Sequence, residues 1–172
     1  MNELGAPVTA PWRANVISDF ARSELFDRTF LEGMDLVEET AAYLDGDGRT
    51  EAKTLERSVS LTYATESMRL TTRLMQLASW LLLHRAVKEG EMTLTQANRE
   101  KTKVKLSAAD PGPDDMISKL PPALQELIAR SMALQTKVRR LDTTIHAPVA
   151  ERAPIGNPLV PQLNRLKAAF EQ

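Results

Sequence analysis

The sequence contains no cysteine, and this absence removes several classes of chemistry at once. The chain cannot form a disulfide, use a thiol nucleophile or hold a zinc ion or iron–sulfur cluster through cysteine. Long apolar runs are also missing, because the longest is Trp80–Leu83, far below the ~20 residues that span a bilayer. The first residues, up to Pro11, show no basic and apolar leader. We therefore expect a soluble, cytoplasmic protein without a membrane partner.

Neither sign of charge is in excess. The formal net charge is −1 and the pI is near 6.2, so no global attraction to nucleic acid or anionic membrane is expected. The sequence also lacks a glycine-rich phosphate loop, a nucleophile elbow and a pair of histidines on one face. His84 and His146 fall in the last turns of predicted helices, where a cationic imidazole suits the helix dipole. Nothing in these patterns points to a catalytic site, a cofactor or a metal. A small enzyme is a further alternative, and it would need a concave pocket that holds carboxylates with displaced pKa values.

The closest match to a metal site follows the first predicted helix. Asp45, Asp47 and Glu56 occupy positions one, three and twelve of a calcium-loop template. Arg49, however, stands where an oxygen ligand belongs, and Thr50 stands where the loop needs glycine. The pattern therefore favours an Asp/Gly helix terminator over a calcium site.

Apolar residues recur at helical spacing through most of the 172 residues, which fits one all-α domain. We expect a bundle of three main helices with a short extra helix and a flexible C-terminal tail, and a homodimer in solution. Residues 1–17 are expected to form a loose N-terminal arm and residues 18–146 the bundle. Residues 147–172, rich in proline at their start, form a tether and a short amphipathic segment.

The first helix has two possible caps, Ser18 and Ser23, and continues to Leu44. The Asp45–Gly48 run is expected to end it, because glycine tolerates the left-handed conformation found at helix termini. The second helix is predicted from about Thr50.

That second helix is predicted to end at Lys88, where Gly90 stops it. Thr93 and Gln96 match a capping box, which predicts a short basic helix over about 94–105. The last helix is predicted to begin at Pro121 and Pro122, where a missing amide donor costs nothing.

The long second helix carries two apolar stripes. One repeats every seven residues, at Leu61, Met68, Met75 and Leu82; the other comprises Tyr63, Leu70, Leu74, Leu77 and Leu81. Its C-terminal end is apolar on all sides because Trp80 and Leu83 replace polar residues there. An apolar end of this kind needs several neighbours or another chain. We therefore predict a dimer interface that includes Trp80, Leu82 and Leu83.

The last helix alternates three- and four-residue steps like a coiled-coil seam. The positions are Leu120, Leu124, Leu127, Ser131, Leu134, Val138, Leu141 and Ile145. This seam is the second surface that we expect to contribute to a homodimer.

Charge is distributed unevenly along the chain. The first helix is acidic, whereas a later segment is basic through Arg99, Lys101, Lys103 and Lys105. An alternative function is therefore a transcription-associated helical dimer that binds DNA through the basic segment. The absence of interleaved aromatic residues and the near-neutral total favour complementary, solvated helix faces and no nucleic-acid partner.

The last fifteen residues show one apolar helical face. Leu159, Leu163, Leu166 and Phe170 are spaced at i, i+4, i+7 and i+11. An isolated helix this short is marginal in water, so it needs something to pack on. The segment either binds a partner or packs on its own bundle, and an adaptor could switch between the two.

Several blocks of sequence resemble the regulator of CtrA degradation family of alphaproteobacteria. They are Val37–Gly46, Met68–Leu83, Glu89–Met92 and Asn157–Phe170. The resemblance implies a helical-bundle homodimer with a mobile tail and no catalytic activity. It further implies an adaptor that binds ClpX carrying a receiver-domain partner and delivers cell-cycle regulators such as CtrA to the ClpXP protease.

Overall fold

The computed structural model of the chain describes residues 11–101 and 110–146. Six helices and no strand occur within these ranges, which confirms the all-α prediction. The chain divides into two compact units, Met1–Leu141 and Asp142–Gln172. Within the described ranges, no helix is long and apolar enough to cross a membrane.

Helix α1 spans Pro11–Asp45 and is longer than predicted. Residues 11–17 are helical rather than a loose arm, so neither Ser18 nor Ser23 begins the helix. The helix can begin at Pro11 because a proline at the first helical position loses no hydrogen bond. It can continue because no further proline or glycine occurs before Gly33. The earlier part of the predicted arm, residues 1–10, lies outside the described residues.

A break at Gly46 separates α1 from α2, which spans Asp47–Ala52. The Gly46 amide donates to the Ala42 carbonyl at 2.9 Å, closing α1 with a helical bond. Its φ is −105°, so the prediction of a left-handed glycine at this turn was wrong. The calcium-like segment is therefore largely helical, and its Arg49 guanidinium lies 3.7 Å from the Asp45 carboxylate.

Helix α3 spans Arg57–Lys88, so the predicted second helix is really α2 and α3 with a turn between them. Its predicted stop is confirmed, because Gly90 has φ 77°. The capping box is confirmed as well: the Gln96 amide donates to Thr93 Oγ1 at 3.2 Å, and the Thr93 amide donates to Gln96 Oε1 at 2.9 Å.

The capped helix, α4, spans Leu94–Lys101, and the rest of the predicted basic helix lies outside the described residues. A short α5, Asp114–Ile117, was not predicted. Helix α6 spans Pro122–His146 and begins at the predicted proline pair.

The seven seam positions from Leu120 to Leu141 are all buried inside the chain's own bundle. This corrects the expectation that the seam meets a second copy, because a side chain already buried in one protomer has no surface left to offer. Ile145 lies in the second unit.

The core of the first unit lies among α1, α3 and α6. Its largest fully buried side chain is Trp80, whose ring centroid is 6.2 Å from that of Phe26 on α1. The backbone at Gly33 approaches α3 so closely that an added Cβ would lie 2.5 Å from a methyl carbon of Leu81. Burying one leucine of this kind stabilises the fold by about 1.5–3 kcal/mol.

Candidate docking surface

Helix α3 has a core side that follows alternating three- and four-residue steps. Its buried positions are Val59, Tyr63, Glu66, Leu70, Arg73, Leu77, Trp80 and His84, with Leu74 and Leu81 beside them. This side contains all five residues of the second predicted stripe, and α1 and α6 cover it. The seven-step stripe lies on the opposite side of the same helix, since each of its members falls midway between two core positions.

All four residues of the seven-step stripe are exposed. The exposed fractions are 71% for Leu61, 72% for Met68, 65% for Met75 and 53% for Leu82. Their spacing places them along a line of about 32 Å on one side of the helix. Large apolar side chains aligned in this way, rather than scattered singly, indicate a protein-binding surface.

The residues between the stripe members are small and uncharged. We define the α3 outer face as these ten positions: Leu61, Ala64, Thr65, Met68, Thr71, Thr72, Met75, Ala78, Ser79 and Leu82. The hydroxyls of Thr65, Thr71 and Ser79 donate to the carbonyl four residues earlier, at 3.0, 2.8 and 2.8 Å. Because these polar atoms are already bonded within the helix, burying the face against a partner costs little.

A groove runs between the outer face and α1. It has a volume of about 180 Å³ and is lined mainly by Val37, Ala41 and Leu44 of α1 and by Leu74, Met75 and Ala78 of α3. Met75 therefore belongs to both the exposed stripe and the wall of the groove. The groove is an apolar recess that can receive one side chain from a docked helix.

A buried polar cluster lies on the core side of α3. Glu66 is buried, and its Oε1 accepts hydrogen bonds from the guanidinium of Arg69 at 2.6 Å and from the amide of Gly112 at 3.0 Å. Arg73 is also buried and donates to Ser131 Oγ on α6 at 2.9 Å. These hydrogen bonds connect α3 both to α6 and to the segment that precedes α5.

The same cluster explains the electrostatics of Arg73. Burial lowers the pKa of Arg73 from its ordinary value, and the carboxylate of Glu66 opposes this shift. Sequence spacing did not reveal the cluster, because the only signal was two charged residues seven positions apart.

The three residues at the apolar end of α3 that were predicted to meet a second copy differ in their burial. Trp80 is fully buried in its own chain and stacks on the ring of His84 at 3.9 Å between centroids. Trp80 therefore offers no surface to a second copy, which corrects its predicted place in a dimer interface. Leu82 is exposed and Leu83 is half-buried, and their part in a dimer stays a prediction.

The two histidines have local partners within their own units. His84 Nδ1 lies 2.9 Å from the Trp80 carbonyl, and His146 Nδ1 lies 2.8 Å from the Asp142 carbonyl. The His146 ring also lies 3.2 Å from the carboxylate of Asp142.

The acidic side of α1 meets basic residues of neighbouring helices. Lys137 of α6 lies 2.7 Å from Glu32, and Arg130 of α6 lies 2.7 Å from Glu39. The hydrogen bond from Arg130 lowers the pKa of Glu39. These pairs are exposed, and each stabilises the fold by about 0–1 kcal/mol.

The basic segment considered for DNA binding is only partly described. Arg99 and Lys101 lie in the last turn of α4, whereas Lys103 and Lys105 are outside the described residues. The predicted partner-binding segment with Leu159, Leu163, Leu166 and Phe170 is also outside them.

Comparisons with known proteins address the family of the chain. Residues 17–170 match the family described as "Protein of unknown function (DUF1465)". No curated protein matches the chain. The crystal structure of RcdA from Caulobacter crescentus CB15 matches with 55% sequence identity and a TM-score of 0.62, covering 76% of this chain and 98% of that chain.

The RcdA match spans nearly all of a solved protein at an identity far above what a shared helical architecture alone would give. It also agrees with the resemblance carried by the sequence blocks of α1, α3 and the C-terminal segment. The chain therefore belongs to the DUF1465 family and to the regulator of CtrA degradation family.

Proposed function

We propose that this protein is a cytoplasmic, non-enzymatic adaptor that delivers CtrA-type transcription regulators to the ClpXP protease. The observation that carries the proposal is the 55% identity with RcdA across 98% of that chain. In this proposal the adaptor is a homodimer and binds ClpX together with a receiver-domain protein. Its substrates are cell-cycle transcription regulators.

The physical requirement for such an adaptor is modest. Tethering raises the effective concentration of a substrate near the protease and needs binding surfaces and a linker, but no reacting side chain. The α3 outer face supplies one uncharged surface. The segment 157–172 has the sequence pattern of a second binding surface. Prolines at positions 148 and 154 precede this segment, and a third proline, at position 158, lies near its start.

The test is reconstituted degradation of a purified CtrA-type regulator by ClpXP, with this protein and the receiver-domain protein added singly and together. We expect faster degradation only when both are present. A tether also predicts a maximum, because excess adaptor places substrate and protease in separate complexes. An allosteric activator of the protease would instead give a plateau.

The matched control is the same titration with a ClpXP substrate that needs no adaptor. Its rate should not change, which separates substrate delivery from general stimulation of the protease. If no candidate regulator is degraded faster at any adaptor concentration, the proposal is wrong.

A further inference from the structure

The outer side of α1 carries an exposed acidic line beside the groove that α1 forms with α3. We define the α1 acidic ridge as five positions that are all exposed: Leu31, Asp35, Glu38, Ala42 and Asp45. Their alternating four- and three-residue steps keep them on one side of the helix over about 21 Å. The ridge therefore presents three carboxylates and one large apolar side chain, with no basic residue among its members.

Ala41 joins the ridge to the groove. It lines the groove, and it also lines a shallow depression that contains Glu38 and Asp45. The opposite wall of the groove belongs to α3, whose outer face has no charged residue at its ten positions. The result is an apolar recess with carboxylates along its α1 edge and an uncharged α3 edge.

The carboxylates of the ridge are available to a partner. Within the described ranges, Asp35 and Glu38 form no ion pair. Asp45 lies 3.7 Å from Arg49, but both side chains are largely exposed, and an ion pair of this kind is weak. By contrast, carboxylates of α1 that are near α6 have basic partners on that helix. The ridge thus keeps a negative charge that a basic partner can neutralise.

The groove also contains a buried polar atom that the chain leaves without a partner. Thr40 lines the groove and is only 3% exposed, and its Oγ1 has no hydrogen bond within the described part of the chain. The hydroxyls of Thr29 and Thr71 instead donate to the carbonyl four residues earlier, both at 2.8 Å. Since a buried hydroxyl without a partner is destabilising, the one in the groove points to a bound group that completes it.

We propose that the groove and the α1 acidic ridge together bind a basic helical segment of a partner protein. One side chain of the segment, the anchor, enters the groove beside Ala41, and a Lys or Arg on each side of the anchor pairs with Glu38 or Asp45. These two carboxylates are seven residues, or about two helical turns, apart. The segment therefore carries basic residues at i and i+7 and its anchor at i+3 or i+4. This inference rests on the proposed function and deepens it by stating the chemistry of one partner.

Methionine is the anchor that suits the groove best. The four heavy atoms of its side chain need roughly 120 Å³ at about 30 Å³ each, and the groove has a volume of about 180 Å³. Its sulfur is a weak acceptor for the hydroxyl of Thr40, and its side chain has no donor that burial would leave unpaired. The basic residues beside the anchor then fix the register of the segment through charge complementarity.

Fluorescence anisotropy of a labelled synthetic peptide tests this site on the full chain. The probe is an alanine-based helix of about sixteen residues with lysine at i and i+7 and methionine at i+3. We expect binding to weaken at least tenfold when both lysines are replaced by glutamate, because two attractions become repulsions. Replacing the methionine by alanine should weaken binding by about tenfold through the loss of buried apolar surface. Equal binding of the lysine and glutamate peptides would overturn the proposal.

A charge exchange locates the contact on the ridge. The double variant Glu38→Lys with Asp45→Lys should lose the lysine peptide and bind the glutamate peptide, which a merely destabilised protein could not do. The matched control is Glu91→Lys with Glu126→Lys, which makes the same change in net charge at two exposed positions outside α1. It should keep its preference for the lysine peptide, and circular dichroism should show both variants fully helical. Equal loss of the lysine peptide in the two double variants would reduce the attraction to net charge and overturn the site.

A second pair of variants tests the groove. Ala41→Leu adds bulk at an exposed position on the groove wall, and Ala133→Leu makes the same change at an exposed position of α6. We expect only Ala41→Leu to abolish binding of the lysine peptide. Retained binding in Ala41→Leu would show that no side chain enters the groove.

Two further measurements identify other occupants. Sedimentation equilibrium in which Ala41→Leu, but not Ala133→Leu, changes the oligomeric state would assign the groove to a second copy of the chain. Tighter binding of the lysine peptide after deletion of residues 157–172 would assign it to the chain's own tail. Either result would overturn the proposal. The peptide assays contain no protease, so peptide binding without adaptor activity would refute only the proposed function, and adaptor activity without peptide binding would refute only this site.

Discussion

Glu66 is the single side chain whose charge we expect to matter most for stability. Its carboxylate is buried, bonds Arg69 and the Gly112 amide, and lies near the buried guanidinium of Arg73. Glu66→Gln keeps the shape but leaves Arg73 without that negative charge. We expect the free energy of unfolding to fall by about 3 kcal/mol in urea denaturation. The exposed replacement Glu38→Gln should change it by less than about 0.5 kcal/mol, and equal effects would contradict a stabilising role for the cluster.

Tyr43 gives the fold a dependence on alkaline pH. Its hydroxyl donates to Glu51 Oε2 at 2.7 Å, and burial, followed by this bond, raises the pKa of the phenol above its ordinary value. The folded state therefore holds the proton more tightly than the unfolded chain. The resulting stability is fully present below about pH 10 and is lost as the pH rises through the folded pKa.

The matching experiment compares Tyr43→Phe with the natural protein between pH 8 and pH 11. At pH 8 the variant should be about 1 kcal/mol less stable because it lacks the bond to Glu51. Above pH 10 the natural protein should lose up to about 1.4 kcal/mol per pH unit more than the variant. Parallel pH profiles would show that the phenol does not titrate differently in the folded state.

Among the secondary-structure elements, α4 depends most clearly on its cap. It spans only Leu94–Lys101, and its first turn is closed by the reciprocal bonds of Thr93 and Gln96. Thr93→Ala should destabilise α4 by about 1 kcal/mol, with faster amide exchange in α4 and no change in α6. Thr95→Ala removes a hydroxyl from the same turn without touching the cap and serves as the control. Unchanged exchange in α4 would mean that packing on α3, not the cap, holds the helix.

The helices also show how far sequence patterns determine structure. Spacing identified both stripes of α3, the stop at Gly90 and the cap of α4, because each rests on contacts within a few residues. It did not show which stripe would be covered, since this depends on where α1 and α6 pack. Trp80 was for that reason assigned to a dimer surface although it lies in the core.

The candidate site was predictable only in part for the same reason. The seven-step repeat was visible in the sequence, but the exposure of Leu61, Met68 and Met75 depends on the long-range packing of the bundle. The groove beside Met75 and the burial of Glu66 and Arg73 likewise require α1, α6 and residue 112 to be in place. Local periodicity contains no information on these contacts.

At the scale of the whole molecule, the C-terminal segment is expected to contribute to partner binding but not to the stability of the bundle. Among the described residues, the buried apolar side chains lie between Phe26 and Leu141, within the first compact unit. Residues 157–172 carry the amphipathic pattern of a docking segment. Deleting them should therefore leave a helical protein that melts cooperatively near the natural temperature, as measured by circular dichroism.

The same deletion should weaken binding to the ClpX–receiver complex or to the substrate, because a folding-on-binding segment supplies affinity through its apolar face. Surface-immobilised full-length protein and the deletion variant can be compared directly for each partner. The control is a full-length chain with Leu163→Asp and Leu166→Asp, which keeps the length of the tail but removes that face. Equal losses of binding in both variants would place the contact on the apolar face, whereas loss of cooperative melting in either would show that the segment packs as part of the bundle.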